Sequence, residues 1–376
     1  MSPQTILITG ARAPVALELA RSFYAQGHRV IMADAIRLPI ARWSGSVDTY
    51  YVVPAPEYTP EAFARRLAAI VQAEKVDHVI PTCEEAIYLA ALRDHLGCKV
   101  WTVDQALILQ LHHKYQFTRL AHPTLTCPET VLLRAFTDWE HSDQYVYKPV
   151  YSRFASSVMI RQRLSSAFFG EEDQDRWVVQ RYISGQEICV YSVWDAGRLK
   201  AYAAYRPRFR AGKGAGIFFE PVHHEEVFRQ VSTFGREIRY TGQLCFDVIV
   251  DETQHPYFLE CNPRGTSGAH LLNQRLASAF LDEEGMLQGD NQSFAIKYAM
   301  ALLHPAACLT RQVRQAKDPV WSGQDPKPFF FQLLSLLEIT WIKFSRGITW
   351  LEATTAGITW NEDKPTDKVS GDTPRV

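Results

Sequence analysis

Two apolar runs on either side of one polar turn constrain the fold of this chain more than any other stretch. The segment "CFDVIVDETQHPYFLECN" covers residues 245–262, and "DETQHP" at its middle is rich in residues that favour turns. Apolar runs that flank such a turn predict an antiparallel β-hairpin. With the turn centred between Thr253 and Gln254, Asp247 pairs directly with Glu260 across the hairpin.

Three oxygen-bearing side chains are expected on one face of this hairpin. Because side chains alternate along a strand, Glu260 and Asn262 share the face of Asp247, and Cys261 points to the other face. Carboxylates this close repel each other unless a cation lies between them. Mg²⁺ takes one or two carboxylates together with phosphate and water oxygens, so the pattern predicts a magnesium (or manganese) site. A solvated hairpin with its acids in water is the alternative.

Cations near this hairpin are suited to phosphate groups. Arg264 follows the acidic cluster and fits a phosphoryl or acyl-phosphate anion. Lys148 interrupts the apolar strand "YVYKPV", where a lone lysine either reaches water or meets an anion. In the next loop, "YSRFASSV", backbone amides and the hydroxyls of Ser156 and Ser157 can donate to phosphates. Lys114, at the expected start of a helix, contacts the same phosphates or is a surface lysine.

The segment "WVVQRYISGQEICVYSVW" predicts a strand, a glycine-containing turn and a second strand. Such a turn exposes backbone donors and acceptors that can bind the edge of an adenine ring. Glu187, just past the turn, can accept hydrogen bonds from ribose hydroxyls. An ordinary β-turn with a charged neighbour explains the same pattern.

Two further segments offer candidate substrate contacts. "RPRFRAGKGAG" places Arg206, Arg210 and Lys213 among glycines, and it is either a substrate-facing loop that binds an anion, a solvated loop, or a nucleic-acid contact. "PTCEE" places Glu84 after the carboxyl end of a parallel strand, where ligands of α/β folds gather. Glu84 can therefore bind an amine substrate, although the helix dipole alone also favours acids there.

The pattern of strands and helices divides the chain. "TILIT", "HRVIMADA", "VDHVIPT" and "CKVWTV" alternate with helices, so residues 1–108 predict a doubly wound α/β domain. Residues 109–300 are rich in strands that look mostly antiparallel, with a hinge near 178–187. Residues 301–360 are helical and rich in tryptophan, and the polar residues 361–376 are expected to be disordered.

Composition excludes few classes of protein. The chain has 376 residues with 40 Lys and Arg against 41 Asp and Glu, so its charge gives no sign of a nucleic-acid or membrane partner. Seven scattered cysteines without a C-x-x-C pair indicate reduced thiols in the cytoplasm. "PFFFQLLSLLEITWIKF" is too short and too polar to span a membrane and is expected to be a buried or interface helix, compatible with a homodimer.

These segments, in this order, resemble the ATP-grasp superfamily over residues 1–275, and "ECNPRG" is most similar to its carbamoyl phosphate synthetase and amino-acid ligase branches. The resemblance implies an N-terminal α/β (pre-ATP-grasp) domain, an ATP-grasp fold of two α+β subdomains and a helical C-terminal region. The roles that it implies are ATP phosphate binding for Lys114 and Lys148, adenine binding for Gln180, Arg181 and Ile183, ribose binding for Glu187, Mg²⁺ binding for Asp247, Glu260 and Asn262, and acyl-phosphate stabilisation for Arg264. The sequence departs from the superfamily in two places, because residues 151–157 contain no glycine and Gln180 stands where glutamate is common.

The expected function is that of an ATP-dependent ligase that joins a small carboxylate to an amine. ATP and Mg²⁺ are the expected cofactors, and Lys148 and Arg264 are the expected catalytic residues. A carboxylase that activates bicarbonate and a non-catalytic ATP-binding protein are alternatives. A nicotinamide oxidoreductase is a more distant one, because "ITGARAP" has one glycine where a dinucleotide fingerprint needs three.

Overall fold

The first sheet is parallel and has five strands. The computed structural model describes residues 2–151, 158–212, 214–281 and 285–360. The strands of the first sheet are β1 (Thr5–Thr9), β2 (Arg29–Asp34), β3 (Thr49–Val52), β4 (His78–Ile80) and β5 (Lys99–Val100). They lie in the order β3-β2-β1-β4-β5, and every pairing is parallel. The sequence predicts all of them except β3, which is a partly exposed edge strand.

Five helices accompany this sheet. They are α1 (Pro14–Ala25), α2 (Pro60–Glu74), α3 (Glu85–Leu92), α4 (Gln105–His112) and α5 (Lys114–Ala121). Pro14 and Pro60 stand in the first turns of α1 and α2, where the missing amide hydrogen costs no helical bond. His113 ends α4 and caps α5, since its ring accepts a hydrogen bond from the Gln116 amide at 3.4 Å. Lys114 is therefore held at the first position of α5.

A four-stranded antiparallel sheet follows. Its strands are β6 (Thr130–Leu132), β7 (Tyr145–Pro149), β8 (Met159–Ile160) and β9 (Trp177–Arg181), in the order β6-β9-β7-β8. One face of the sheet packs in an aromatic cluster that includes Phe136, Tyr145, Tyr147 and Phe169. Because side chains alternate, Lys148 and Gln180 lie on the opposite face.

The largest sheet has seven strands. In chain order, the elements of this region are β10 (Gln186–Asp195), β11 (Arg198–Pro207), the two-stranded ribbon β12 (Arg210–Ala211) and β13 (Ala215–Gly216), β14 (Phe218–Pro221), α6 (Glu225–Glu237), β15 (Gly242–Val250), β16 (Pro256–Asn262), α7 (Ser278–Leu281), β17 (Leu287–Gln288) and β18 (Phe294–Ala295). The sheet order is β16-β15-β10-β11-β14-β18, with β17 parallel to β11 and the remaining pairs antiparallel.

The chain crosses from the four-stranded to the seven-stranded sheet between β9 and β10, through residues 182–185. Gly185 lies against β15 so closely that an added Cβ would stand 2.2 Å from the carbonyl oxygen of Val250. A side chain at this position would push the two sheets apart. The glycine therefore sets how closely the link approaches the hairpin.

The parallel sheet packs directly on the seven-stranded sheet. Side chains of β1, α1, β10 and the 3₁₀ segment Ser267–Arg275 share one apolar core. Polar contacts fix the same boundary, because Glu18 lies 3.0 Å from the ring of His270 and Gln243 donates to the carbonyl of Pro81 at 2.7 Å. The loop after β4 is thereby held against the end of the β15–β16 hairpin.

The C-terminal region is helical, as the sequence predicts. Its helices are α8 (Lys297–Leu303), α9 (Arg311–Gln315), α10 (Lys327–Arg346) and α11 (Trp350–Thr355). Of the two expectations for α10, buried or interface helix, the first does not hold, since Leu337, Trp341 and Phe344 are largely exposed; the second stays a prediction. Among the described residues, no helix combines the length and apolar character needed to cross a membrane. The expected disordered tail, 361–376, lies outside the described residues.

The last described residues return to the carboxyl edge of the parallel sheet. Arg12, after β1, pairs with Asp34 at the end of β2 at 2.5 Å and also donates to the carbonyl of Ala356 at 2.8 Å. The Trp360 amide donates to the carboxylate of Glu84 at 3.1 Å. Residues near the end of the described chain therefore occupy the sheet edge at which a dinucleotide would bind. This arrangement counts against a nicotinamide oxidoreductase.

Candidate active site

The β15–β16 hairpin pairs Asp247 with Glu260, as expected, although its turn is centred differently. Pairings from Val250–Pro256 to Val248–Phe258 centre the turn on residue 253, and a β-bulge then shifts the register so that Asp247 meets Glu260. The bulge adds Leu259 to β16. The expected pair is thus correct, whereas the expected centre between residues 253 and 254 is wrong.

The bulge decides which side chains reach the site. Phe258 and Cys261 both lie in the buried core, although strict alternation would place them on opposite faces. Between them, Glu260 is left on the outer face together with Asp247 and Asn262. Without the extra residue, Glu260 would share the core face of Phe258.

The bulge also supplies a backbone acceptor. The carbonyl oxygen of Leu259 accepts a hydrogen bond from the Lys148 ammonium at 3.2 Å. The same ammonium donates to the side-chain oxygen of Gln180 at 3.0 Å, and the Gln180 amide nitrogen donates to Thr130 at 2.9 Å. Lys148 is buried, so these bonds hold it at the seam between the two antiparallel sheets.

Lys114 reaches the hairpin from the other side. Its ammonium lies 3.4 Å from the carboxylate of Glu260, and its side chain is almost fully buried. The Lys114 amide also donates to the carbonyl of Val150 at the end of β7, at 3.1 Å. Both lysines predicted to contact phosphates therefore converge on Glu260.

Charges in this cluster act on one another strongly. Burial acts to raise the pKa of Glu260, but Lys114 and Lys148 outweigh it and lower this pKa to about 2. Burial, followed by the carboxylates of Glu260 and Glu187, raises the pKa of Asp247 to about 7. Burial lowers the pKa of Lys148 to about 8. Lysines neutralise Glu260, whereas Asp247 forms no direct ion pair with a described residue.

Asn262 and Arg264 extend the cluster. The Asn262 side chain donates to Asp247 at 3.3 Å and accepts from the Arg264 guanidinium at 3.3 Å. Burial opposes ionisation of Arg264, yet its pKa is raised, and Glu84 is the carboxylate that contributes most to this shift. Glu84 therefore lies near Arg264, but the Trp360 amide already occupies one of its oxygens.

The donor set around Asp247 fits a hard divalent cation. Asp247 and Glu260 present carboxylates on one face with the Asn262 amide beside them, and burial, followed by the carboxylates of Glu260 and Glu187, raises the pKa of Asp247, an effect that such a cation would offset. Sequence reasoning did not identify Cys189, whose thiol lies with oxygens of Glu187 and Asp247 within 4.8 Å of one another. Its position two residues after Glu187 on β10 was the available signal. Burial raises the pKa of the Cys189 thiol, which keeps it protonated and a poor ligand for Mg²⁺.

The three residues expected to contact adenine, Gln180, Arg181 and Ile183, do not face the same site. Gln180 faces Lys148, whereas Arg181 is exposed and lies 5.2 Å from the Tyr145 ring on the aromatic face of the sheet. The Arg181 side chain is thus directed away from the cluster. Ile183 is half-buried in the link between the sheets, where its backbone borders the seam.

The arginine-rich loop meets the ribose candidate. Arg210 forms a short ion pair with Glu187 and donates to the carbonyl of Gly214 at 2.7 Å. Arg208 instead pairs with Glu220 at 3.1 Å. A cavity of about 270 Å³ lies here, and its lining comprises Gln186, Glu187, Arg206, Pro207, Arg208 and Glu220. The structure thus brings Arg206 and Arg210 to the edge of the same site.

A family model described as an ATP-grasp domain matches residues 112–268. This chain contains an ATP-grasp domain. The matched range holds both lysines, the link between the sheets, the acidic hairpin and Arg264. No curated protein sequence matches the chain.

Solved structures share the fold of this ATP-grasp chain at low sequence identity. The biotin carboxylase domain of 2-oxoglutarate carboxylase from Hydrogenobacter thermophilus, a dimer with MgADP, ADP and bicarbonate, is 13% identical with a TM-score of 0.60, over 77% of this chain and 73% of that one. N5-carboxyaminoimidazole synthetase from Staphylococcus aureus, complexed with ADP, is 13% identical with a TM-score of 0.60, over 81% and 85%. L-amino acid ligase from Bacillus licheniformis is 14% identical with a TM-score of 0.56, over 74% and 73%.

These likenesses establish the fold of the ATP-grasp chain. A parallel five-stranded sheet precedes antiparallel sheets and a helical C-terminus, as the sequence predicts. Three of the expected site residues, Ser156, Ser157 and Lys213, lie outside the described residues.

Proposed function

We propose that this chain is an ATP-dependent carboxylate–amine ligase, which forms an amide or peptide bond and releases ADP and phosphate. The observation that carries the proposal is the convergence of Lys114 and Lys148 on Glu260, beside Asp247 and Arg264. Lysines, oxygen ligands and an arginine are the groups that phosphoryl transfer to a carboxylate requires.

The first step transfers the γ-phosphoryl group of ATP to the substrate carboxylate. Lys114 and Lys148 would bind the phosphate oxygens and neutralise their charge. Asp247, Glu260 and Asn262 would hold Mg²⁺, which supplies Lewis-acid stabilisation of the transferring group. Glu187 would accept hydrogen bonds from the ribose once Arg210 releases it, and the backbone near Ile183 would bind the adenine.

The second step joins the acyl group to the amine. Arg264 lies beside Asn262 and its pKa is raised, so it stays cationic next to the acyl phosphate and can stabilise the oxyanion of the tetrahedral intermediate. The amine displaces phosphate as leaving group and loses its proton to solvent or phosphate. In this scheme, no protein side chain has to form a covalent intermediate.

Substrate contacts are proposed at the edge of the nucleotide site. Arg206 lines the cavity beside Glu187, and Arg210 pairs with Glu187; both would bind a substrate carboxylate. Glu84 lies near Arg264 and would face an amine if the contact with Trp360 opens. The substrates that fit are small molecules, and the cytoplasm is the compartment proposed for the reaction.

Bicarbonate is the second candidate substrate. Its support is the similarity to a carboxylase domain solved with bicarbonate and to N5-carboxyaminoimidazole synthetase. A carboxylase would use the same lysines and metal ligands to form carboxyphosphate, and a different acceptor would then be carboxylated.

The experiment is a screen of carboxylates with ATP, Mg²⁺ and hydroxylamine, with ADP and hydroxamate as the readouts. A ligase gives both products with at least one small carboxylate, because hydroxylamine traps the acyl phosphate. ADP release that bicarbonate stimulates, without a hydroxamate, supports the carboxylase. ATP binding with no ADP under any mixture identifies a non-catalytic ATP-binding protein and overturns the proposal.

A further inference from the structure

Helix α10 turns most of its large apolar side chains toward solvent. Its four buried positions are Pro328, Gln332, Ser335 and Ile342, so polar residues take half of them, and the Ser335 hydroxyl donates to the carbonyl of Leu38 at 2.5 Å. Glu338 accepts from the amides of Arg37 and Leu38 at 2.8 and 2.6 Å. Surface helices normally bury their largest apolar side chains, so this arrangement indicates that something apolar covers the outer side.

The outer side of α10 forms one continuous stripe. Phe330, Leu333, Leu337, Trp341 and Phe344 follow one another at intervals of three or four residues, which places them on one face of the helix. The exposed fractions of Leu337, Trp341 and Phe344 are 63%, 69% and 72%. The stripe runs for about 21 Å along the helix axis.

Neighbouring elements widen this surface. Phe329 stacks on Tyr298 at 4.8 Å between ring centroids, and Trp321 packs edge-on against Phe329 at 5.1 Å. Tyr298 belongs to α8, which also exposes Leu302. We call these residues, together with the stripe, the α10 surface.

Charge is strongly one-sided in the stretch of chain that contains α8, α9 and α10. Residues 297–346 contain seven basic side chains, six of them exposed and one half-buried, and none forms an ion pair with a described residue. They are Lys297, Arg311, Arg314, Lys317, Lys327, Lys343 and Arg346. The three acids of the same stretch are turned inward and hydrogen-bonded; they are Asp318, Asp325 and Glu338.

We propose that the α10 surface docks on an anionic lipid bilayer. Exposed tryptophan, phenylalanine and leucine beside unpaired lysine and arginine are the features of a helix that lies in a membrane interface without crossing it. Lys343, whose ammonium stands 4.2 Å from the Phe344 ring, places charge next to the most exposed aromatic ring of the stripe. The net charge of −1 for the whole chain conceals this local excess, which is why composition gave no sign of a membrane partner.

A second copy of the chain fits the same surface less well. Pairing two α10 surfaces would bring the α10 cations Lys327, Lys343 and Arg346 of each copy together, whereas Glu338, the acid of the helix, is hydrogen-bonded to the protein. Like charges at an interface core disfavour association, whereas lipid phosphates neutralise them. The bilayer is therefore the occupant that the charge pattern favours.

The test is sedimentation of the full-length protein with vesicles. We expect co-sedimentation with phosphatidylcholine vesicles that contain about 30% phosphatidylserine, little with phosphatidylcholine alone, and release by about 0.5 M salt. The double substitution Leu337→Glu with Trp341→Glu should lower the bound fraction about tenfold, and Lys343→Glu should lower it by a smaller factor. Leu337 and Trp341 are exposed, so the circular dichroism spectrum and the Tm of the double variant should match those of the wild type.

Matched controls distinguish binding through the α10 surface from nonspecific binding to vesicles. Phe168→Glu removes an exposed aromatic side chain elsewhere, and Arg236→Glu reverses an exposed charge on α6; both should bind vesicles like the wild type. Equal binding of all variants, or no binding to anionic vesicles, overturns the proposal. Light scattering gives one further outcome. If the wild type is a dimer and Leu337→Glu is a monomer, the membrane proposal is overturned and the α10 surface is assigned to a second copy of the chain.

Discussion

Asp247 and Glu260 are direct cross-strand partners in the hairpin, yet their pKa values move in opposite directions. Lys114 and Lys148 lower the pKa of Glu260 to about 2 against the effect of burial, whereas burial, Glu260 and Glu187 raise that of Asp247 to about 7. The folded protein thus holds a proton on Asp247 that the unfolded chain has released above pH about 4. Without metal, this group costs stability as pH rises from about 4 to 7.

Metal binding should therefore depend on pH. A divalent cation must displace the Asp247 proton, so the affinity for Mn²⁺ without nucleotide should rise about tenfold between pH 6 and pH 8. Mn²⁺ titrations followed by electron paramagnetic resonance measure this affinity directly. Asp247→Asn should bind weakly at both pH values, and a wild-type affinity that is equal at pH 6 and pH 8 would contradict the assignment of Asp247 as a ligand.

Replacing Lys148 should abolish phosphoryl transfer. In Lys148→Met the hydrogen bonds to Gln180 and Leu259 are lost together with the charge that would meet the phosphates, and kcat/KM for ATP should fall by at least about 100-fold. The matched control is Lys200→Met, which removes another buried lysine from β11. Turnover of the Lys148 variant equal to that of the control would defeat the site assignment. Circular dichroism checks that both variants fold.

The sequence predicted the hairpin pair correctly because two differences cancel. The assumed turn centre lies half a residue too far along the chain, and the bulge at Leu259 shifts the register by the same amount before Asp247 meets Glu260. The bulge could not be foreseen, because it depends on the core taking both Phe258 and Cys261. The two lysines were identified by residue type, but only the fold shows that both converge on Glu260.

Other parts of the structure were not predicted from the sequence. Strand β3 is a partly exposed edge strand that the sequence analysis missed, although its segment "TYYVV" is rich in residues that favour strands. Arg210 binds Glu187 across a gap in sequence that no local pattern encodes. Helix α10 was expected to be a buried or interface helix because its composition is apolar, and composition cannot decide between the two or show which side of the helix faces the protein. Exposure is a property of the tertiary structure.

Gln180→Glu should shift the pH dependence of nucleotide binding. Burial lowers the pKa of Lys148 to about 8, so the wild type loses its charge at this position above pH 8. A carboxylate in place of the Gln180 amide, 3.0 Å away, favours the ammonium and should raise that pKa by at least about one unit.

The measurement is kcat/KM for ATP between pH 7 and pH 9.5, since this ratio reports the free enzyme. The alkaline decline should begin near pH 8 in the wild type and at a higher pH in Gln180→Glu. Gln72→Glu, on the exposed side of α2, supplies the control and should decline like the wild type. Identical profiles for all three proteins would show that Lys148 does not set the alkaline limit.

Glu226 should contribute to stability in acid. Hydrogen bonds from Arg229 and Gln230 lower the pKa of Glu226 to about 2, below its value in the unfolded chain. This stabilisation is complete above pH about 4.5 and is lost as pH falls toward 2. Because the pair is solvent-screened, Glu226→Gln should cost only about 0.5 kcal/mol at pH 7.

Urea unfolding at pH 7, 4 and 3 checks this prediction. The stability difference between wild type and Glu226→Gln should shrink as pH falls. Glu225→Gln removes a charge from the same first turn of α6 without removing these hydrogen bonds, and its effect should be smaller. A difference that stays constant from pH 7 to pH 3 would exclude the acid linkage.

Arg264→Lys should uncouple ATP consumption from product formation. Lysine keeps the charge but cannot contact Asn262 and Gly265 at once, as the Arg264 guanidinium does at 3.3 and 3.2 Å. The acyl phosphate should then be held less firmly and be hydrolysed before the amine attacks.

With a substrate pair from the hydroxamate screen, amide formation should fall about 10- to 100-fold, and the ratio of ADP to amide should rise well above one. Arg229→Lys, at an exposed arginine of α6 paired with Glu226, should keep the ratio of the wild type. If ADP and amide fall together in Arg264→Lys, Arg264 serves the first step, and the role in amine transfer is wrong.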